Sequence, residues 1–134
     1  MKEHTITRLT LAEAQQAIAV ILKAASDDGK RPVSAAVVDP YGELIAFARM
    51  DGSTIRSASI AVNKAYTAAR MEQDTANFEE GRDIRRLGDP RFVTVAGGVA
   101  ILRDGACVGG IGVSGRPSAE DYELAKKGAA ALMR

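Results

Sequence analysis

The 134-residue chain carries 18 basic and 17 acidic side chains, a net charge of +1, which suits one domain with a real core and gives no electrostatic case for nucleic acid. Arg82, Arg85 and Arg86 make the densest basic stretch, and Glu79, Glu80, Asp83 and Asp89 dilute it. The single cysteine, Cys107, excludes an intrachain disulfide and a cysteine metal cluster, no apolar run approaches the roughly 18 residues of a membrane span, and MKEHTITRLT lacks a signal-peptide core, so a cytoplasmic domain over 1–134 without membrane partners is expected.

In chain order, Thr10 and Glu13 have capping-box spacing and open a first helix. Its apolar stripe is Leu11, Ala14, Ile18, Ile21, Leu22 and Ala25, and Asp28-Gly29 closes it. "PVSAAVVD" and "ELIAFARM" then read as a hairpin about Asp39-Pro40-Tyr41-Gly42, where proline presets φ and glycine takes the last position. Both strands are apolar on both faces, so helices or a second subunit should cover each side.

Residues 53–71 read as a second helix with a narrow stripe of Ala58, Ala61, Val62, Ala65, Ala68 and Ala69, small enough to lie close on a sheet. The polar segment 74–91 is expected to hold a short helix and a loop. In "FVTVAGGVAILRDGACVGGIGVSG", Asp104-Gly105 lies between apolar runs and is a strong hairpin signal. A last helix follows Pro117, with Ser118 and Asp121 resembling an N-cap and Tyr122, Leu124, Ala125, Gly128, Ala129 and Leu132 as its stripe. The order α-ββ-α(α)-ββ-α predicts an α+β fold, an antiparallel sheet flanked by helices.

Gly110, Gly112 and Gly115 spell a G-x-G-x-x-G, but a dinucleotide fingerprint needs a parallel βαβ unit and an acidic residue about 20 positions later. The helix after Gly115 runs to the end of the chain and the preceding strand is a hairpin arm, so that reading fails. Pairing about Asp104-Gly105 instead places Gly97-Gly98 opposite Gly109, Gly110 and Gly112, a patch of sheet almost without side chains. Either an alanine-rich helix packs closely on it, or it is a flat floor for a ligand.

"PVSAAVVDPYGELIAFARMDG", "ASIAVNKAYTAAR", "GGVAILRDGACVGGIGVSG" and "SAEDYELAKKGAAAL" together resemble the GlcG/HbpS family, which includes the C-terminal haem-binding domain of PduO-type proteins. The resemblance covers about residues 9–132. It implies a profilin-like fold with a five-stranded antiparallel sheet, assembly into homo-oligomers, and small-molecule binding, with haem or related tetrapyrroles bound by some members.

Asp51, a motif position in that family, is either a cap for the helix starting near Ser53 or a general base and ligand-binding carboxylate. Lys64 sits roughly 100° around its helix from the alanine stripe. It faces either solvent or a pocket rim where, as the resemblance implies, it pairs an anionic ligand group. Arg49 ends a strand beside Asp51 with a fork suited to a carboxylate, and Arg70 faces nearly the same way as Lys64. Ser114 is not in a G-x-S-x-G context, and the only histidine, His4, lies far out in the N-terminal segment, which argues against a catalytic triad and a zinc site. The expected ligand-binding set is Arg49, Asp51, Lys64, Gly97, Gly98 and Ser114.

Axial haem ligands would have to come from Cys107, Met50, Met71, Tyr41, Tyr66 or Tyr122, because the first helix lacks the histidine that some relatives carry. Haem is therefore an optional ligand, with propionates on Arg49 or Lys64, and no cofactor is required. Two functions remain open: a small-molecule-binding oligomer for a tetrapyrrole or an anionic catabolic intermediate, or a cofactor-free tautomerase, isomerase or lyase. In the second, Asp51 moves a proton while Lys64 or Arg49 stabilises an enolate-like charge. A third reading, a pure assembly subunit, uses the small-residue surfaces for contacts alone.

Overall fold

A computed structural model describes residues 4–79 and 84–132. Glu80, Arg82 and Asp83 of the polar segment lie outside the described residues. The elements are α1 (Leu11–Asp27), β1 (Ser34–Val38), β2 (Leu44–Arg49), α2 (Ile55–Met71), two single 3-10 turns (Thr75–Phe78 and Ile84–Leu87), β3 (Gly98–Arg103), β4 (Ala106–Ser114) and α3 (Ser118–Ala130).

Local chemistry sets most boundaries. Thr10 Oγ1 accepts the Glu13 amide while the Glu13 carboxylate accepts the Thr10 amide, the reciprocal box expected. Asp104 and Gly105 both have positive φ, 51° and 79°, as a two-residue turn matched to strand twist requires. The Asp39 carboxylate accepts the amides of Tyr41 and Glu43 and so shapes the first hairpin's turn. Helix α2 starts two residues later than expected, because Thr54 rather than Ser53 presents its hydroxyl to the Ser57 amide.

The four strands pair antiparallel in the order β2-β1-β4-β3. The fifth strand expected from the resemblance is absent among the described residues. Strand β4 begins before its pairing with β1, and there the extended N-terminal segment makes a single backbone bond, Leu9 N–H to Val108 O, too little for a ladder.

Strand alternation gives the sheet two faces. Ala35, Val37, Ile111, Val113, Val99 and Ile101 point to one and form the main core with Ile21, Ala25, Leu124 and Ala129 of α1 and α3. Burial of Ile21 or Ile111 alone contributes about 1.5–3 kcal/mol. The opposite face carries Ala36 and Val38 of β1 and packs on Ala61, Ala65 and Ala69 of α2, one residue per turn. The layers are therefore α2, sheet, and α1 with α3.

Candidate functional site

Gly98, Gly110 and Gly112 of the patch face α2, while Gly109 faces Leu9. A Cβ on Gly110 would stand 2.5 Å from Ala65 O, and one on Gly112 or Gly98 would strike Ala61 O or Lys64 O. The helix backbone rests directly on the strands, so the ligand floor imagined for these glycines is closed by close helix packing. The physical reason is the alanine stripe: with methyl groups on one side and hydrogens on the other, nothing holds the layers apart.

Lys64 lies under this patch rather than at a rim or in solvent. It is 2% exposed, and its Nζ donates to Val113 O and to the Asp121 carboxylate, each at 3.0 Å. Gly97 leaves room for it, since a Cβ there would sit 2.6 Å from Nζ. Burial pushes the Lys64 pKa down and the Asp121 pKa up, opposed in each case by the attraction of the other group. Asp121 also accepts the Arg116 amide at 2.9 Å, so it works ahead of α3 instead of completing a cap with Ser118.

Asp51 is exposed in the turn after β2 and caps nothing, Thr54 having taken that role. Of the pair joined above as proton carrier and charge stabiliser, Asp51 is exposed while Lys64 is buried and committed to an internal ion pair. Arg70 donates from Nε to Tyr41 O and lies over the Tyr66 ring, fastening the first hairpin's turn to α2. His4 is exposed.

Strand register brings two expected residues together. Ser34 of β1 pairs with Arg49 on one side and Ser114 on the other, and paired residues share a face. The row Arg49–Ser34–Ser114 thus crosses three strands on the α2 side, level with the first turn of α2, where Ser34 Oγ meets Ser57 Oγ at 3.0 Å. Two recesses flank this row. One is a cleft of about 300 Å³ between the starts of α2 and α3, lined by Arg31, Thr54, Arg56, Ser57, Ser114 and Arg116 among others. The other is an open apolar groove of about 500 Å³ between edge strand β2 and α2, lined by Leu44, Phe47, Ala58, Ser59, Val62 and Asn63. Phe47 is two residues before Arg49 and shares its face, so a cation stands at the groove's end.

Arg31, Arg56 and Asp121 escaped the sequence reading. Asp121 looked like an ordinary helix cap, and its partner Lys64 lies 57 residues away. Arg31 and Arg56 are isolated charges in sequence that only the fold brings to one cleft.

The donors considered for haem iron are mostly engaged. The Cys107 thiol donates to Ala69 O and Gly109 O, and burial pushes its pKa up. Met50 Sδ accepts the Val33 amide, Tyr66 donates to Asp89, and Tyr122 donates to Asp74, which helps push its pKa up to about 12. Tyr41 is exposed in the hairpin turn, and Met71 is half-buried at the end of α2.

A family model described as "Haem degrading protein HbpS-like" matches residues 9–130. Protein GlcG of Escherichia coli is 35% identical over 107 residues, covering 75% of this chain and 80% of GlcG. A double mutant of Streptomyces reticuli HbpS superposes with a TM-score of 0.89 at 35% identity, over 98% of this chain and 92% of that one. A complex of PduOC with haem superposes at 0.86 with 26% identity, over 93% and 95%. These neighbours share the α+β architecture with its antiparallel sheet.

Proposed function

The chain belongs to the HbpS-like family, and on that premise we propose that it is a small-molecule-binding protein whose ligand is a flat organic anion: a tetrapyrrole, or an anionic catabolic intermediate with an apolar part. One observation carries the reading, the apolar groove on β2 and α2 with Arg49 on the same strand face. Leu44, Phe47 and Val62 offer the ring an unpaired apolar surface, and the Arg49 guanidinium suits a carboxylate at its edge. Occurrence of haem with the PduOC relative supports the ligand class.

Iron ligation does not fit these residues. Among the described residues, none of His4, Cys107, Met50, Met71, Tyr41, Tyr66 and Tyr122 lines the groove, and four of the donors already hold partners. The reading therefore holds the ring by its face and its carboxylates, with no step routed through iron. A tautomerase, isomerase or lyase would pair Asp51 with Lys64 or Arg49, and the bond of Lys64 to Asp121 leaves Arg49 for that role.

Exposed Leu11, Ile55, Leu87 and Leu102 support the homo-oligomer implied by the family, and the single cysteine suits a reducing cytoplasm. Among the described residues no helix is long and apolar enough to cross a membrane.

Titration with haemin and with metal-free protoporphyrin IX, followed by absorbance and by sedimentation velocity, tests the proposal. Both porphyrins should bind an oligomer with the same stoichiometry and affinities within a few-fold of each other. Phe47→Asp should weaken both by roughly 10- to 100-fold, as loss of about 1.5–3 kcal/mol of apolar contact implies. Binding of haemin alone, or of neither, would overturn it.

A further inference from the structure

We propose that the cleft between the starts of α2 and α3 is a second binding site, distinct from the apolar groove, for a compact oxyanion such as the phosphate or carboxylate group of a small metabolite. The pointing observation is Ser114. It is 7% exposed, lies on the α2 face beyond Gly110 and Gly112, and lines the cleft. The two nearby hydroxyls, Ser34 in the row and Ser57 on α2, are satisfied: Ser57 Oγ donates to Thr54 O at 2.7 Å and shares a bond with Ser34 Oγ. Ser114 Oγ alone of the three hydroxyls has no partner among the described residues. Among the described residues no buried side-chain oxygen or nitrogen lacks a partner, so this hydroxyl opens onto the cleft, where a ligand oxygen can take the place of water.

The charges around it favour an anion. Arg116 is spoken for, donating to both Asp28 carboxylate oxygens, to Arg31 O and to Ala25 O. Glu120 pairs with Lys30 and Asp121 with Lys64. What remains unbalanced is positive: the guanidinium groups of Arg31 and Arg56, without partners among the described residues, and the N-terminal dipole of the 17-residue α2. Two forks and a hydroxyl around one small concavity match the oxygens of a phosphate or carboxylate. Gly115, with φ 140° and a would-be Cβ 2.6 Å from Pro32 O, lets the chain lie close against the segment that leads into β1, so that the Arg31 and Arg116 segments frame the same opening.

Calorimetric titration of the full chain with inorganic phosphate and with malonate, with amide NMR shifts read in parallel, decides the matter. Saturable binding of either probe is expected, weakened by added salt, with shifts centred on Ser114, Gly115 and Arg56, and the tighter probe identifies the group. Ser114→Ala, which adds no bulk, should weaken binding about tenfold, as loss of a hydrogen bond to a charged group does. Arg56→Gln should do so to a similar extent, while porphyrin binding stays unchanged in both variants. Phe47→Asp should leave anion binding intact, so failure at one site is distinguishable from failure at the other. No binding of either probe at millimolar concentration, or binding indifferent to both variants, would sink the proposal.

Discussion

Lys64 shows how far a side chain's role depends on what lies opposite it. Its ammonium group is almost fully buried and survives there because Asp121 and Val113 O surround it. Removing one member leaves the other buried and uncompensated. Lys64→Met alone should cost about 3–5 kcal/mol. Adding Asp121→Asn, which keeps an acceptor for the Arg116 amide while removing the charge, should recover a large part of that loss. A double-mutant cycle by urea unfolding measures the coupling, and strictly additive losses would mean that the pair contributes nothing as a pair. At this scale the sequence was least legible. A lysine roughly 100° around its helix from an alanine stripe looks solvated or rim-facing until a carboxylate 57 positions away folds over it.

At the scale of elements, the backbone of α2 rests directly on the glycines of β4. Gly110 and Gly112 leave no room for a methyl group, because the facing atoms are helix backbone that cannot rotate aside. Gly112→Ala must therefore separate the layers, and we expect a loss of about 3 kcal/mol or more in thermal or chemical unfolding, at the upper end of overpacking costs. Gly105→Ala also meets strain, from its φ of 79°, but no neighbour lies within 4 Å of the added carbon, so a smaller loss of about 1 kcal/mol is expected. The capping box of α1, the Asp104-Gly105 turn and the two hairpins were legible in the sequence. Each rests on contacts within a few residues.

Across the whole molecule, Arg116 ties the layers together. From the loop before α3 its guanidinium group grips Asp28 and Ala25 O at the end of α1, closing the side of the sheet away from α2. That grip holds the Asp28 carboxyl at about 2, well below its ordinary 3.8. A depressed carboxylate stabilises the fold fully above pH 3.8, and the contribution disappears as pH falls through about 2. Glu13, held low by Arg103 in a bridge between α1 and β3, acts in the same sense. Asp28→Asn should therefore destabilise the protein at neutral pH, with the difference from the unsubstituted protein shrinking steadily as unfolding is repeated toward pH 2. A difference that stays constant with pH would mean that the ion pair is not its source.

By itself the sequence determined the elements and their order, the two hairpins, the exclusion of a dinucleotide fold, and the family. These follow from helix and strand periodicity, turn chemistry and motif order, all of them local or additive along the chain. Only the tertiary structure decided that α2 closes the glycine patch, that Lys64 is internal, and that Arg49, Ser34 and Ser114 share one row. Those facts depend on the register of β1 against the distant β4 and on the seating of α2, which are set by packing across the fold rather than by any neighbouring residue.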